Sequence, residues 1–368
     1  MRRCPGSAAS DLGAYIPERT RGISSTRMKE AIVAKGPTVK IVDSPIPEPN
    51  DDQVLIKVVV SGSNPKDWKL AEWFDVEGNA GDDIAGVVAK VGRNVTEFKA
   101  GDRVAAFHEM LAPHGSYAEY AVAWAHTTFH LPRGTALDEA AALPLAAMTA
   151  AVGLYLRLGL PPPWAPDNGD DEVPLVVYGA ASAVGAYALQ LARRSNIHPL
   201  ICVAGRSKDH VETLIDRGRG DTVVDYRDGD EAVVAGLKEA LAGRELYHAF
   251  DAVSEKGSYQ NICQVLAKQG SKITLVLPGK KYDEIPASVE QTLTNVGCVH
   301  KDSKDFGFVF FRYFSRGLAE GWLHGQPQEL VPGGLGGIQS ALEKLKAGKA
   351  NAVKYVFRIA DTEGIGKE

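Results

Sequence analysis

The stretch Pro174 to Ala192, PLVVYGAASAVGAYALQLA, holds the residue pattern best suited to binding an anion. A short apolar run, Leu175 to Tyr178, meets a small-residue turn, Gly179 to Gly185, and an alanine- and leucine-rich segment succeeds it at helical spacing. A strand, a tight turn and a helix N-terminus together form a phosphate cradle, because free N–H groups point outward and the helix dipole favours negative charge. Against G-x-G-x-x-G the turn offers Ala180, Ser182 and Gly185, so the fingerprint is degenerate and its weight comes from the neighbouring segments. A second apolar run, Pro199 to Ala204, ends at Gly205-Arg206-Ser207-Lys208, the position where a dinucleotide ribose is read. No Asp or Glu stands at that end to accept from a ribose 2′-hydroxyl. Arg206 and Lys208 bring positive charge and Ser207 a hydroxyl, as a 2′-phosphate requires. The expected cofactor is NADPH rather than NADH.

These residues need elements to hold them. From 174 onward, strand-like and helix-like segments alternate to about 277, the pattern of a doubly wound parallel sheet. Before it, Met28 to about Val122 reads as short strands and turns, a small β-barrel-like module. Asp138 to Leu158 is helical with a break at Leu143-Pro144, and Pro161 to Asp171 is a surface loop. After Pro278 the alternation fades into a strand-like segment near Val296–Val299, helices over 305–321 and 338–347, and a closing strand at 353–359. A lone strand needs a partner, so the closing one is expected to join the first module. The expected fold class is α/β, with a β-barrel catalytic domain interrupted by an inserted doubly wound nucleotide domain. Its divisions are a disordered tail or start-site artefact over 1–27, barrel over 28–145, nucleotide domain over 146–290, and barrel again over 291–368.

Bulk composition narrows the function classes. The chain has 368 residues, 45% hydrophobic and 24% charged, with a net charge of -5, and so carries no dominant basic face for nucleic acid. No apolar run approaches the roughly 18 residues a membrane span needs. Four scattered cysteines without a CxxC motif read as reduced thiols, which gives a cytoplasmic expectation.

Several further motifs appear in order: Asn64-Pro-Lys-Asp-Trp-Lys69, Gly81-Asp-Asp-Ile-Ala-Gly86, Gly101-Asp-Arg-Val104, Gly115-Ser-Tyr-Ala-Glu-Tyr120 and Asp225-Tyr226. With the turn they make the chain resemble the medium-chain dehydrogenase/reductase superfamily from Met28 to the C-terminus. Within it the likeness is greatest to the zinc-free quinone and enoyl reductases, and above all to fungal trans-acting enoyl reductases that partner polyketide synthases. The resemblance implies a GroES-like barrel around a Rossmann domain. It also implies cofactor contacts from Asn64, Pro65, Lys66 and Asp67 near the nicotinamide, and Thr149 beside it. Ala181, Ser182, Ala183 and Val184 would meet the pyrophosphate, and Ser207, Lys208 and Tyr226 the 2′-phosphate and adenosine, while Gly185 and Arg206 join the cofactor-binding set from the turn and the strand end read above. Leu277 and Pro278, at the sixth strand's end, would approach the carboxamide.

Zinc-dependent relatives place a Cys where Asn64 stands and Gly-His-Glu where this chain has Gly81-Asp82-Asp83. Asp82 with stray histidines does not supply the N and S donors zinc prefers, so no metal is expected. Without a Lewis acid, the feasible acceptors are those whose conjugation spreads the developing charge. The leading expectation is hydride transfer to the C=C of an enoyl thioester of polyketide type in secondary metabolism. A detoxifying quinone or enal reductase is the alternative, and a catalytically silent NADPH-binding protein the reading from another class. The expected partners are an apolar conjugated carbonyl substrate and a polyketide synthase, with the chain a monomer or homodimer. No proton donor is assigned. The aromatic run Phe306 to Phe314 reads as a core-packed helix or subunit contact, with a substrate channel as the alternative.

Overall fold

The computed structural model describes residues 26–166 and 172–365. Most of the expected tail and the end of the Pro161 to Asp171 loop lie outside these residues.

Leu175–Tyr178, Leu200–Ala204, Thr222–Asp225, His248–Asp251, Lys272–Leu275 and Glu290–Leu293 pair in parallel as one six-stranded sheet. Numbered along the chain, their spatial order is 3-2-1-4-5-6, the doubly wound order. The first five fall where apolar runs predict them, because strands covered on both faces must be apolar throughout. The sixth does not. Glu290–Leu293, sequence EQTL, is a mostly exposed edge strand with no apolar face to betray it. The strand expected near Val296–Val299 is instead a 3-10 helix, Val296–His300, which Asn295 starts by accepting the Gly297 N–H at 3.0 Å. Leu277 and Pro278 accordingly come after the fifth strand, not the sixth.

The second large sheet has seven strands, six along its path and one off it. Gln53–Gly62 lies at its centre between Asp83–Val91 and Lys354–Arg358, and Tyr120–Trp124 pairs with it off the path. Lys354–Arg358 is the expected closing strand, and it returns from the chain's far end to pair antiparallel with Gln53–Gly62. Helix Pro144–Ala151 joins the two sheets. Every residue in it is buried, and it packs on the helix after the phosphate turn, Ala183–Arg194. The aromatic run sits in helix Lys304–Glu320, where Phe310, Phe311 and Phe314 are fully buried; Phe311 stacks on Phe129 at 5.6 Å. Core packing is their role.

Candidate functional site

The turn leaves the C-terminal end of the first parallel strand beside the fourth, where the strand order reverses. Ser182 caps helix Ala183–Arg194 by accepting the Gly185 N–H at 3.1 Å. This leaves the first-turn N–H groups of Ala183 and Val184 without intrahelical partners, as a helix start must. Gly185 cannot be replaced without displacement, since a Cβ there would lie 2.3 Å from the Gly179 carbonyl oxygen. The helix therefore packs tightly on the strand and directs its free amides at one point, a fit for a diphosphate.

At the next strand end, Arg206 and Lys208 are exposed and Ser207 is half-buried. Among the described residues neither cation makes an ion pair; the nearby carboxylate, Asp225, is held instead by Arg227 at 2.5 Å. That contact keeps the Asp225 carboxyl at about 2, below its ordinary range. The Tyr226 ring lies against Gly205, where a Cβ would meet its Cε1 and Cζ at 2.6 Å. Ring, hydroxyl and cations thus cluster over the ends of adjacent strands, and they fit an adenosine carrying a 2′-phosphate.

The residues expected near the nicotinamide are arranged differently. Pro65 opens helix Pro65–Phe74, and Asp67 accepts the Asn64 N–H at 2.7 Å to close its first turn. The Asn64 side chain is used at both ends: its Nδ2 donates to Asp83 Oδ2 at 2.8 Å, and its Oδ1 accepts from Lys354 Nζ at 2.7 Å. Lys354 also pairs with Asp83 Oδ2 at 2.6 Å, and Asp83 Oδ1 accepts the Leu145 N–H at 2.7 Å. Asp83 thereby sits at the N-terminus of the helix that carries Thr149, a favourable place for a carboxylate. The Thr149 hydroxyl donates back to the Leu145 carbonyl at 2.7 Å.

A second buried group adjoins the first. Lys66 Nζ lies 2.9 Å from Asp67 Oδ1 and 2.5 Å from Asp82 Oδ2, and donates to the Ala80 carbonyl at 2.5 Å. Tyr117 donates to Asp67 at 2.6 Å, and His108 Nδ1 meets Asp82 at 2.8 Å. Burial opposes the charge on Lys66, but Asp67 and Asp82 outweigh it and hold the ammonium above its usual range. Burial raises Asp67, whereas for Asp82 burial is outweighed by Lys66 and His108 and its carboxyl is lowered. Lys66 borders a cavity of about 370 Å³, lined also by Leu70, Ala71, Val76 and Leu111. The carboxylates at Asp67, Asp82 and Asp83 are thus engaged by ammonium groups of the chain, a donor set unlike the thiolates and imidazoles of a zinc site.

The geometry unites Ala181 to Gly185 with Arg206, Ser207, Lys208 and Tyr226. Asn64 to Asp67 form a separate cluster, with Thr149 on the helix that links it to the turn. Leu277 lies in the loop after the fifth strand, its carbonyl taken by the Tyr282 hydroxyl at 2.7 Å, and Pro278 is exposed beside it. Lys354 and Tyr117 gave no signal in the sequence, since their partners are up to 290 residues away.

Residues 50–133 match the alcohol dehydrogenase GroES-like domain. The trans-enoyl reductase fsr4 of Gibberella fujikuroi is 54% identical over 312 residues, covering 84% of this chain and 92% of its own. Among solved structures, the CurK enoyl reductase superposes with a TM-score of 0.71 at 17% identity, over 90% of this chain and 99% of that one. A mycobacterial protein solved as its NADPH complex superposes with a TM-score of 0.70 at 19% identity, over 89% of this chain and 99% of that one. The chain belongs to the trans-enoyl reductases of the medium-chain dehydrogenase/reductase superfamily and is an oxidoreductase.

Proposed function

We propose that the chain is an NADPH-dependent reductase of the conjugated C=C in an enoyl thioester of polyketide type, working in secondary metabolism beside a polyketide synthase. The observation that carries the cofactor choice is the pair Arg206 and Lys208, exposed and in no ion pair among the described residues at the ribose-reading strand end. The 54% identity to a trans-enoyl reductase supports the acceptor class. In this reading the barrel module, 28–145 with 291–368, carries the substrate, and 146–290 carries the cofactor.

When bound, the nicotinamide supplies the hydride to the β-carbon. The chain's own part is orientation and electrostatics. Ala183 and Val184 hold the diphosphate by their N–H groups, while Arg206, Ser207, Lys208 and Tyr226 hold the 2′-phosphate.

The test is to mix the pure protein with NADPH and, separately, an enoyl thioester and a quinone, following loss of NADPH absorbance. Turnover of the thioester is expected. Turnover of quinones alone would replace this reading with a quinone reductase, and NADPH binding without turnover of either would make the chain a silent binding protein.

A further inference from the structure

The segment 321–327 runs from helix Lys304–Glu320, which packs on the barrel elements Ala125–Thr127 and Thr128–His130, to strand Gln328–Leu330 of the barrel sheet. Gln326 within it is 2% exposed. Its backbone N–H donates to the Tyr187 hydroxyl at 2.9 Å, and Tyr187, on the helix after the phosphate turn, donates to the Ala142 carbonyl at 3.0 Å. The Gln326 side chain reaches further, and its Nε2 donates to the Ala181 carbonyl at 3.1 Å, inside the turn itself. Its Oε1 is buried with no donor among the described residues. An apolar side chain of the same size would fill the space without burying an unmatched acceptor. The amide is therefore kept for its donor bond to the turn rather than for packing.

We propose that Gln326 is a positioning residue for the cofactor diphosphate. By fixing the Ala181 carbonyl it fixes the backbone that leads into Ala183 and Val184, whose free N–H groups must converge on the phosphate oxygens. This barrel-side segment thereby ties the turn to the barrel, so that cofactor grip depends on how the two are joined. This role rests on the proposed NADPH site. It adds a residue that touches no ligand and acts only through the turn.

The experiment titrates the full chain with NADPH and with adenosine 2′-monophosphate, which carries the 2′-phosphate but no diphosphate. Three proteins are compared: the parent, Gln326→Met and Gln190→Met. Gln190 grips the same segment at both the N–H and the carbonyl of His324 without reaching the turn. Gln326→Met is expected to weaken NADPH about 5- to 10-fold, the loss of one buried hydrogen bond, and to leave the monophosphate within about twofold. Gln190→Met is expected to leave both within about twofold. Unchanged NADPH affinity in Gln326→Met overturns the proposal. So does equal weakening of both ligands, or a loss in Gln190→Met as large as in Gln326→Met, since either marks a general loosening. If the parent binds neither ligand, the cofactor reading itself fails. Should Gln326→Met not fold, Gln326→Leu makes the same comparison, being of similar size but without a donor for the Ala181 carbonyl.

Discussion

At the ends of the parallel strands, Arg206 and Lys208 stand exposed and in no ion pair among the described residues, and the N–H groups of Ala183 and Val184 lie ahead of the first intrahelical bonds. Across the joining helix, Lys66 and Lys354 are each locked between buried acceptors, and Asn64, Asp67 and Asp83 are used on more than one side. A region that awaits an anion keeps its donors free. A region that must hold its shape neutralises its charges internally. The difference explains why residue type alone is a poor guide to contact. Asn64 and Asp67 carry polar groups as suited to binding as Ser207, yet their hydrogen bonds are already committed to the fold.

The largest expected effect tests the closed region. Asp83→Ala leaves Lys354 buried without its carboxylate and should cost about 3–5 kcal/mol in urea unfolding, the range for breaking one partner of a buried pair. Asp83→Leu combined with Lys354→Met should recover most of that loss. A loss below about 1 kcal/mol would show that the charges of this region do not compensate one another.

A second effect appears with pH. Burial pushes the His300 imidazole down to about 4, from an ordinary value of 6.5, while its Nε2 meets the Phe107 carbonyl at 3.2 Å. Between those values the unfolded chain binds a proton that the folded chain does not, so stability is full above about pH 6.5 and falls as pH drops toward 4. The contribution is about 3 kcal/mol across that window. His300→Gln should flatten the slope there when unfolding is followed at a series of pH values, and an unchanged slope would remove His300 as its cause.

The open region answers to ligand rather than to denaturant. The double substitution Arg206→Ala with Lys208→Ala should weaken NADPH about 100-fold and leave NADH within about threefold, by fluorescence titration. Equal weakening of both cofactors would place these cations outside the 2′-phosphate contact. The smallest effect belongs to Ser182→Ala, which removes the cap on Gly185 N–H and should lower stability by about 1 kcal/mol in thermal unfolding.

The same contrast governs what could be read from the chain. The phosphate turn and its strands were legible because the signal is local: apolar runs, small residues and a helix pattern within a few dozen positions. The closing strand was legible through a topological argument, since it needed a partner. The edge strand Glu290–Leu293 was not, because half-exposed polar residues carry no periodicity. Nor was the ion network, in which Asn64 meets Lys354 across 290 residues. Such pairing is a property of the fold. Gln326 left no mark either, for its role lies in reaching a carbonyl 145 residues earlier.

In the proposed function, cofactor choice turns on Arg206 and Lys208 at the second strand end. Side-by-side titration of the full chain with NADPH and NADH tests their role most directly: NADPH should bind at least about tenfold more tightly, the worth of one charge-assisted contact. Equal affinity, or a preference for NADH, would contradict it.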